Sequence, residues 1–98
     1  MNASEHVASI VKALPKAPGV YRYFDKNKTI IYVGKAKNMR NRVSSYFLSN
    51  NLNRKTQNLV NQICDIEYTV VDNESEALLL ENILIKRLQP KYNILLKA

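Results

Sequence analysis

Two tyrosines stand in short segments that mirror each other along the chain. Tyr21 ends a Gly-Val-Tyr sequence at residues 19–21, and Tyr32 begins a Tyr-Val-Gly sequence at residues 32–34. A phenol can donate or accept a hydrogen bond, so two phenols on one side of a structure could orient or activate a water molecule. Tyrosines of this kind can equally be ordinary strand residues, and the remaining sequence has to separate the two interpretations.

The segment between the two tyrosines predicts a β-hairpin. Residues 25–28 are polar and turn-forming, and the flanking residues 20–24 and 29–33 are rich in strand formers. A turn that is symmetric about residues 26–27 would place Phe24 opposite Thr29 and Tyr21 opposite Tyr32. Directly opposed side chains have Cβ atoms roughly 5 Å apart, so the two phenols would share one face of the hairpin.

Glu81 interrupts the apolar side of the last long helix. At about 100° per residue, the apolar residues form one arc with Glu81 near its middle, and that arc contains Ala77, Leu78, Leu80, Leu84, Ile85 and Leu88. Burying an uncompensated carboxylate costs on the order of several kcal/mol. Either an ion pair or a hydrogen bond to a tyrosine satisfies Glu81, or it binds Mg²⁺ or Mn²⁺ together with water and a substrate phosphate.

The remaining elements predict an α/β (α+β) domain with a small three-stranded antiparallel sheet flanked by helices. Asn73, with Glu76 three residues on, is typical of a helix start, and Pro90 should end that helix after about Leu88. The other predicted elements are a first helix from Ser4 to about Leu14, helices at about 38–48 and 55–64, and a third strand at 66–71.

Size and charge indicate a single basic domain that binds a polyanion. The 98 residues allow one core, spanning residues 1–98, and carry a formal net charge of +7. Four basic residues that follow the hairpin are candidate phosphate contacts, namely Lys35, Lys37, Arg40 and Arg42. A solvated basic surface is the alternative explanation, but the position beside the tyrosine hairpin favours nucleic acid.

Cysteine and histidine are too scarce for several kinds of site. Cys64 and His6 are the only residues of their types, so a zinc site, a Cys-His nucleophile and a disulfide framework are not expected. We expect Cys64 to be a small buried apolar side chain and the chain to work in a reducing cytoplasm. No apolar stretch approaches the roughly 20 residues of a membrane span.

An ordered set of motifs resembles the GIY-YIG nuclease family. The two tyrosine segments are followed by Lys-Ala-Lys at 35–37, Asn-Arg-Val at 41–43, Ser-Tyr-Phe at 45–47, Glu-Ala-Leu-Leu-Leu-Glu at 76–81 and Pro-Lys-Tyr-Asn at 90–93. The second position of both tyrosine segments is Val rather than Ile, which preserves a β-branched strand residue. The match runs from about Leu14 to Lys97 and is most similar to the UvrC branch, the N-terminal endonuclease domain of a bacterial excinuclease.

The resemblance implies a metal-dependent DNA endonuclease and assigns its site. It places one divalent cation, Mg²⁺ or Mn²⁺, on Glu81 and water activation on Tyr32 or Tyr21, with Tyr32 the first choice. The implied catalytic residues are Tyr21, Tyr32, Lys35, Arg42, Tyr46, Glu81 and Asn93. A tyrosine base needs a lowered pKa, and Lys35 is the nearest positive charge to Tyr32 in the sequence. Arg42 can offer a planar fork of donors to a phosphate.

The biological role implied by this branch is the 3′ incision of nucleotide excision repair. The partners would be damaged duplex DNA and a UvrB–DNA complex, and the chain would be a monomeric N-terminal part of a longer protein. Two alternatives remain. One is a catalytically silent DNA-binding or partner-docking module on the same fold, and the other is a mobile-element or restriction nuclease, which would need added specificity elements.

Overall fold

A computed structural model describes residues 4–96, which form a three-stranded antiparallel sheet covered by helices on both faces. The strand order is β2-β1-β3. The elements in chain order are α1 Glu5–Ala13, β1 Gly19–Phe24, β2 Ile30–Ala36, α2 Met39–Leu48, α3 Arg54–Gln62, β3 Asp65–Val70, α4 Glu74–Leu88 and α5 Lys91–Leu95. The fold class predicted from the sequence is therefore confirmed. Within residues 4–96, no helix is long and apolar enough to cross a membrane.

The hairpin forms, but its register differs from the predicted one by two residues. Tyr23, rather than Tyr21, lies opposite Tyr32, and Tyr21 lies opposite Gly34. Phe24 pairs with Ile30 instead of Thr29. Because side chains alternate between the two faces of a strand, a shift of two leaves Tyr21 and Tyr32 on the same face.

The turn explains the shift. Asp25 and Thr29 pair through their backbones, and Lys28, with φ of 63°, occupies the left-handed region after a tight turn. The Asp25 carboxylate accepts hydrogen bonds from the backbone N–H groups of Asn27 and Thr29 at 2.9 and 3.1 Å. The loop therefore has three residues, 26–28, and this moves the register by one residue from that of a turn symmetric about 26–27. An irregularity between Tyr23 and Phe24 moves it by one more.

The two faces of the sheet bury two separate apolar clusters. Tyr21 and Tyr23 project from β1 into the larger cluster, which α1, α2 and α3 cover. Val20, between Gly19 and Tyr21 in the sequence, projects to the opposite face, where it packs with Val33 and with Ala77 of α4. The sheet thus separates a tyrosine-rich face from an aliphatic face.

Side-chain caps begin the four longer helices. Ser4, Asn38, Asn53 and Asn73 each accept a hydrogen bond from a backbone N–H of the first helical turn. Asn73 caps α4 as predicted, and the Glu76 carboxylate reaches back to the backbone N–H of Asp72 at 3.0 Å. The helix α5 was not predicted, because Pro90 was expected only to end α4. Proline also suits the start of a helical turn, since its missing N–H would have no helical partner there.

Three side chains depart from the predicted burial. Leu78 and Leu88, expected on the buried arc of α4, are 47% and 40% exposed. The residues of α4 that pack on the sheet are Ala77, Leu80, Leu84 and Ile85. Leu78 lies beyond the edge of that arc, and Leu88 is the last residue of the helix. Cys64 is exposed rather than buried, since it follows the end of α3 just before the chain enters β3.

Tyr23 generates a prediction about stability. Its side chain is fully buried, and its hydroxyl has no hydrogen-bond partner among the described residues. Removing that hydroxyl in Tyr23→Phe should raise the free energy of unfolding at neutral pH by about 1 kcal/mol, because an unsatisfied buried polar group carries a desolvation penalty of about 1–3 kcal/mol. Urea unfolding measures the change, with the exposed Tyr68→Phe as control. A destabilised Tyr23→Phe would contradict the prediction.

The same variant should respond differently to alkali. Burial, and then the neighbouring tyrosines, raise the pKa of Tyr23 well above its usual value. Tyrosine in the unfolded chain ionises near pH 10. The stability that the raised pKa of Tyr23 contributes is therefore complete below about pH 10, and it is lost as the pH rises further. Tyr23→Phe should lose less stability than the parent chain between about pH 9 and pH 11.

Candidate active site

Three phenol hydroxyls meet at the edge of the tyrosine-rich core. The Tyr21 hydroxyl donates to that of Tyr46 at 3.4 Å, and the Tyr46 hydroxyl donates to that of Tyr32 at 3.4 Å. Their ring centroids lie 6.2–6.4 Å apart in pairs. Tyr21 and Tyr46 are 1% and 7% exposed, whereas Tyr32 is only partly buried. The structure thus brings the two hairpin phenols to one side of the sheet and adds a third from α2.

Tyr23 lies against all three of these rings. Its ring is stacked on that of Tyr32, with centroids 5.8 Å apart and planes 28° apart, because these two residues are opposite each other in the hairpin. It meets Tyr46 edge-on at 5.5 Å and Tyr21 at 5.2 Å. By sequence alone, Tyr23 is interpreted as a residue of core or strand packing. A correct prediction of the hairpin register would have placed Tyr23 opposite Tyr32 and so beside the site.

Gly34 makes room for the ring of Tyr21. The two residues are paired across the hairpin, and a Cβ atom at Gly34 would overlap the Cζ and the hydroxyl oxygen of Tyr21. From the sequence alone, Gly34 predicts a close approach of a phosphate or of another backbone, or simply the end of a strand. In the structure the Tyr21 side chain occupies that space, so the glycine determines where this phenol lies.

Arg42 supplies the positive charge beside the phenols. Its guanidinium lies over the Tyr46 ring, 5.2 Å from the centroid, and donates to the Tyr46 hydroxyl at 3.5 Å. The pKa values of Tyr21 and Tyr32 are raised, chiefly by burial and then by Tyr46, while Arg42 acts to lower both. Arg42, not Lys35, is therefore the cation that favours ionisation of Tyr32.

Lys35 acts on Glu81 instead. Burial raises the pKa of the half-buried Glu81 carboxyl, and the Lys35 ammonium and a hydrogen bond from the Lys35 backbone lower it. The charge of Glu81 also reaches Tyr32, whose pKa it raises. Glu81 thus faces the same region as the phenols, and on the helical wheel it lies between Ala77 and Ile85, inside the arc that packs on the sheet.

The donor set around Glu81 fits a hydrated divalent cation. Within residues 4–96, no three Asp, Glu, His or Cys side chains come together, so a metal held by several protein ligands has no place there. The other acids at the start of α4 are engaged elsewhere: Glu74 pairs with Lys37 at 3.1 Å, and Glu76 binds the Asp72 backbone. A partly desolvated carboxylate suits Mg²⁺, which keeps most of its waters and takes one or two carboxylates plus a substrate phosphate.

Asn93 holds the edge of β2. Its side-chain oxygen accepts from the backbone N–H of Val33, and its amide nitrogen donates to the carbonyl of Val33, both at 2.8 Å. Val33 lies between Tyr32 and Gly34, so this pair of bonds fixes the backbone that carries both residues. The geometry gives Asn93 a positioning role, since both polar atoms of its side chain already bind the backbone.

The four predicted phosphate contacts divide into two groups. Lys35 lies beside Glu81, and Arg42 lies beside the phenols. Lys37 instead pairs with Glu74. The Nε of Arg40 donates to the Leu14 carbonyl at 2.7 Å and ties α2 to the end of α1, away from the phenols.

Comparisons with known proteins agree with this geometry. The fold and the tyrosine-glycine arrangement are those of a GIY-YIG domain. The family described as the UvrC-like GIY-YIG domain matches residues 17–94, so the chain belongs to that family.

Relatives and solved structures extend the match over nearly the whole chain. A UvrABC system protein C from Porphyromonas gingivalis (strain ATCC 33277) is 56% identical over 97 residues, and one from Bacteroides fragilis (strain ATCC 25285) is 53% identical over 97. Each alignment covers 99% of this chain but 16% of the relative, so the chain spans about a sixth of the length of these relatives. The magnesium-bound GIY-YIG N-terminal endonuclease domain of UvrC from Thermotoga maritima has a TM-score of 0.81 at 38% identity, covering 91% of this chain and 97% of that one.

Gly34→Ala should test how the phenols are positioned. The added methyl group overlaps the Tyr21 ring, so that ring and its hydroxyl must move away from Tyr46. We expect a loss of stability of about 1–3 kcal/mol, typical of overpacking, and at least a tenfold loss of DNA nicking by the folded variant. Circular dichroism and plasmid nicking give the two readouts. Ala36→Gly, two residues along β2, is the control for altered strand propensity, and full nicking by Gly34→Ala would contradict the prediction.

Proposed function

We propose that this chain is a divalent-metal-dependent endodeoxyribonuclease domain that hydrolyses a phosphodiester bond of DNA. One arrangement carries the proposal: Arg42 lies over the Tyr46 ring, the Tyr46 hydroxyl donates to that of the partly buried Tyr32, and Glu81 lies near enough to raise the pKa of Tyr32. Phosphodiester hydrolysis needs charge stabilisation at the phosphate, an activated water and stabilisation of the leaving oxygen, and a guanidinium, a carboxylate that can bind a cation and a phenol can supply these together. The membership of the UvrC-like family and the catalytic divalent cation described for the Thermotoga maritima domain support the same conclusion.

The residues of the chain divide the work of binding and orientation. Arg42 presents donors to the non-bridging oxygens of the scissile phosphate and offsets the charge that develops there. Glu81 would hold a single Mg²⁺ or Mn²⁺, with Lys35 beside it. When bound, the cation supplies Lewis-acid stabilisation of the phosphate and the leaving 3′ oxygen.

Tyr32 is the phenol best placed to meet the attacking water. It is the most exposed of the three linked phenols, whereas Tyr21 is 1% exposed. The Tyr32 hydroxyl accepts from Tyr46, which leaves its own proton free to be donated or lost. Loss of this proton is opposed by burial and favoured by Arg42, so the bound phosphate, the cation and Arg42 together set the protonation state of Tyr32 during the reaction.

We further propose the 3′ incision of bacterial nucleotide excision repair as the biological role. The chain is similar to about a sixth of the length of proteins named UvrABC system protein C, and damaged duplex DNA held by UvrB would be the natural substrate of such a domain. The clustered positive charge beside the phenols is consistent with recognition of the phosphate backbone, with damage selected by other components.

Glu81→Gln tests the proposal directly. The amide preserves the shape of the side chain but removes the charge that holds the cation, so nicking of supercoiled plasmid with Mg²⁺ or Mn²⁺ should fall by about 100-fold or more. Glu67→Gln, which removes an exposed carboxylate on β3, is the matched control and should retain full activity.

Two results would contradict the assignment. Unchanged nicking by Glu81→Gln would remove Glu81 from the metal site. The parent chain could instead bind DNA but show no nicking with Mg²⁺ or Mn²⁺ and no Mn²⁺ binding in calorimetry. That result would favour a catalytically silent binding module.

A further inference from the structure

A groove leads from the phenols to the start of α3. One cavity of about 350 Å³ has Tyr32, Arg42 and Tyr46 in its wall. A second cavity, of about 340 Å³, has Arg54 and Lys55 in its wall. Asn53 and Leu96 line both cavities, so the two lie next to each other at these residues. We call the two adjoining cavities together the α3 groove.

The walls of the α3 groove offer hydrogen-bonding and apolar groups side by side. Ser45, Thr56 and the apolar Leu52 line the inner cavity. The Ser45 hydroxyl donates to the Arg42 carbonyl at 2.6 Å, so its oxygen remains as an acceptor. Asn53 uses its side-chain oxygen to cap α3, accepting from the Thr56 backbone N–H at 2.8 Å, which leaves its amide nitrogen as a donor. This combination suits a chain of sugars and phosphates, which presents apolar faces and acceptor oxygens in turn.

Acidic residues are absent from the part of the sequence that forms most of this surface. Residues 26–64, which include α2 and α3, hold eight Lys or Arg and no Asp or Glu. The residues that follow Glu81, including all of α5, hold no acid either. The acids of the chain therefore lie at residues 5–25 and 65–81, and the only one of them placed beside the phenols is Glu81.

Arg54 and Lys55 occupy positions that weaken their own helix. They are the first two residues of α3, whose first turn has no acidic residue. The N-terminal end of a helix carries partial positive charge, so cations there are unfavourable and acids are favoured. A pair of basic residues at this end, lining a groove that also has Tyr32 and Arg42 in its wall, favours a negatively charged ligand there.

We propose that the α3 groove holds the DNA strand next to the scissile phosphate, with Arg54 in contact with a backbone phosphate one or more nucleotides away. This inference rests on the proposed nuclease function and extends the DNA-contacting surface beyond the basic residues that follow the hairpin. The contact is with phosphate and sugar, so it adds affinity and register without reading sequence.

Arg54 is the better residue for the test. Lys55 donates to the backbone carbonyl of Leu95 at 3.3 Å and so also joins α3 to α5. No ion pair involves Arg54 in the described part of the chain. Arg54→Glu places an acid at the N-terminal end of α3, where the helix favours it, so the variant should melt at an equal or higher temperature than the parent chain.

The variant should nevertheless bind DNA more weakly. By fluorescence anisotropy with labelled duplex or single-stranded DNA, we expect Arg54→Glu to reduce affinity at least fivefold. Arg54→Ala should reduce the slope of log K against log salt by about 0.7–0.9, the value for one lost phosphate contact. In nicking assays Arg54→Ala should raise KM and leave kcat unchanged, because the contact is present before and during the reaction.

Arg87→Glu is the matched control. Arg87 is exposed in the last turn of α4 and projects about 120° around that helix from Glu81. A cation is favourable at this end of a helix, so Arg87→Glu should lower the melting temperature and leave DNA affinity unchanged. We thus expect opposite results for the two variants: Arg54→Glu keeps its stability and binds DNA more weakly, and Arg87→Glu loses stability and binds DNA as before.

The outcomes separate this inference from the proposed function. If the parent chain nicks DNA through Glu81 and Arg54→Glu binds and cleaves as the parent does, the α3 groove is not the path of the strand. If Arg54→Glu and Arg87→Glu weaken binding equally, the loss comes from the lower net positive charge and not from a specific contact of Arg54, and the inference is also wrong. A parent chain that neither binds nor nicks DNA overturns the proposed function and this inference together.

Discussion

The packing of the Tyr21 ring over Gly34 is the constraint on which the rest of the site depends. Only a residue without a Cβ at this point of β2 lets the ring cross the neighbouring strand and bring its hydroxyl to Tyr46. Tyr23 supports the three linked phenols from the core side, and Asn93 fixes the edge of β2 on which Gly34 lies. The tyrosine rings therefore have two roles: their hydroxyls form the site at the surface, and the rings themselves are part of the hydrophobic core.

Burial in this arrangement disfavours ionisation of the phenols, and Arg42 partly offsets that effect. Burial raises the pKa of Tyr21 and Tyr32, which keeps both phenols neutral in the free chain. Arg42 acts in the opposite direction, and the greater exposure of Tyr32 allows solvent to reach it. A neutral phenol held in position donates a hydrogen bond to water or phosphate. The charges of the bound substrate and cation can change the ionisation only of a phenol that they reach, and Tyr32 is the exposed one.

The sequence predicted the features that follow from alternation and capping patterns. It was wrong where the geometry of one turn decides, and it was silent where distant contacts decide. The hairpin, the shared face of Tyr21 and Tyr32, the cap at Asn73 and the fold class followed from alternation and capping patterns. The register was wrong because a left-handed Lys28 and an irregularity beyond it each add one residue. The hydrogen bonds between the Asn93 side chain and the Val33 backbone span 60 positions, so no local pattern could predict them.

The most direct test of the account is the position of a divalent cation in a crystal soaked with Mn²⁺, located by anomalous scattering. The account predicts one ion about 2.0–2.2 Å from a carboxylate oxygen of Glu81, coordinated otherwise by water, on the side of the helix that faces the Tyr32 hydroxyl. An ion bound instead at Glu74 or Glu76, or a Glu81 side chain turned to solvent with the ion elsewhere, would contradict it.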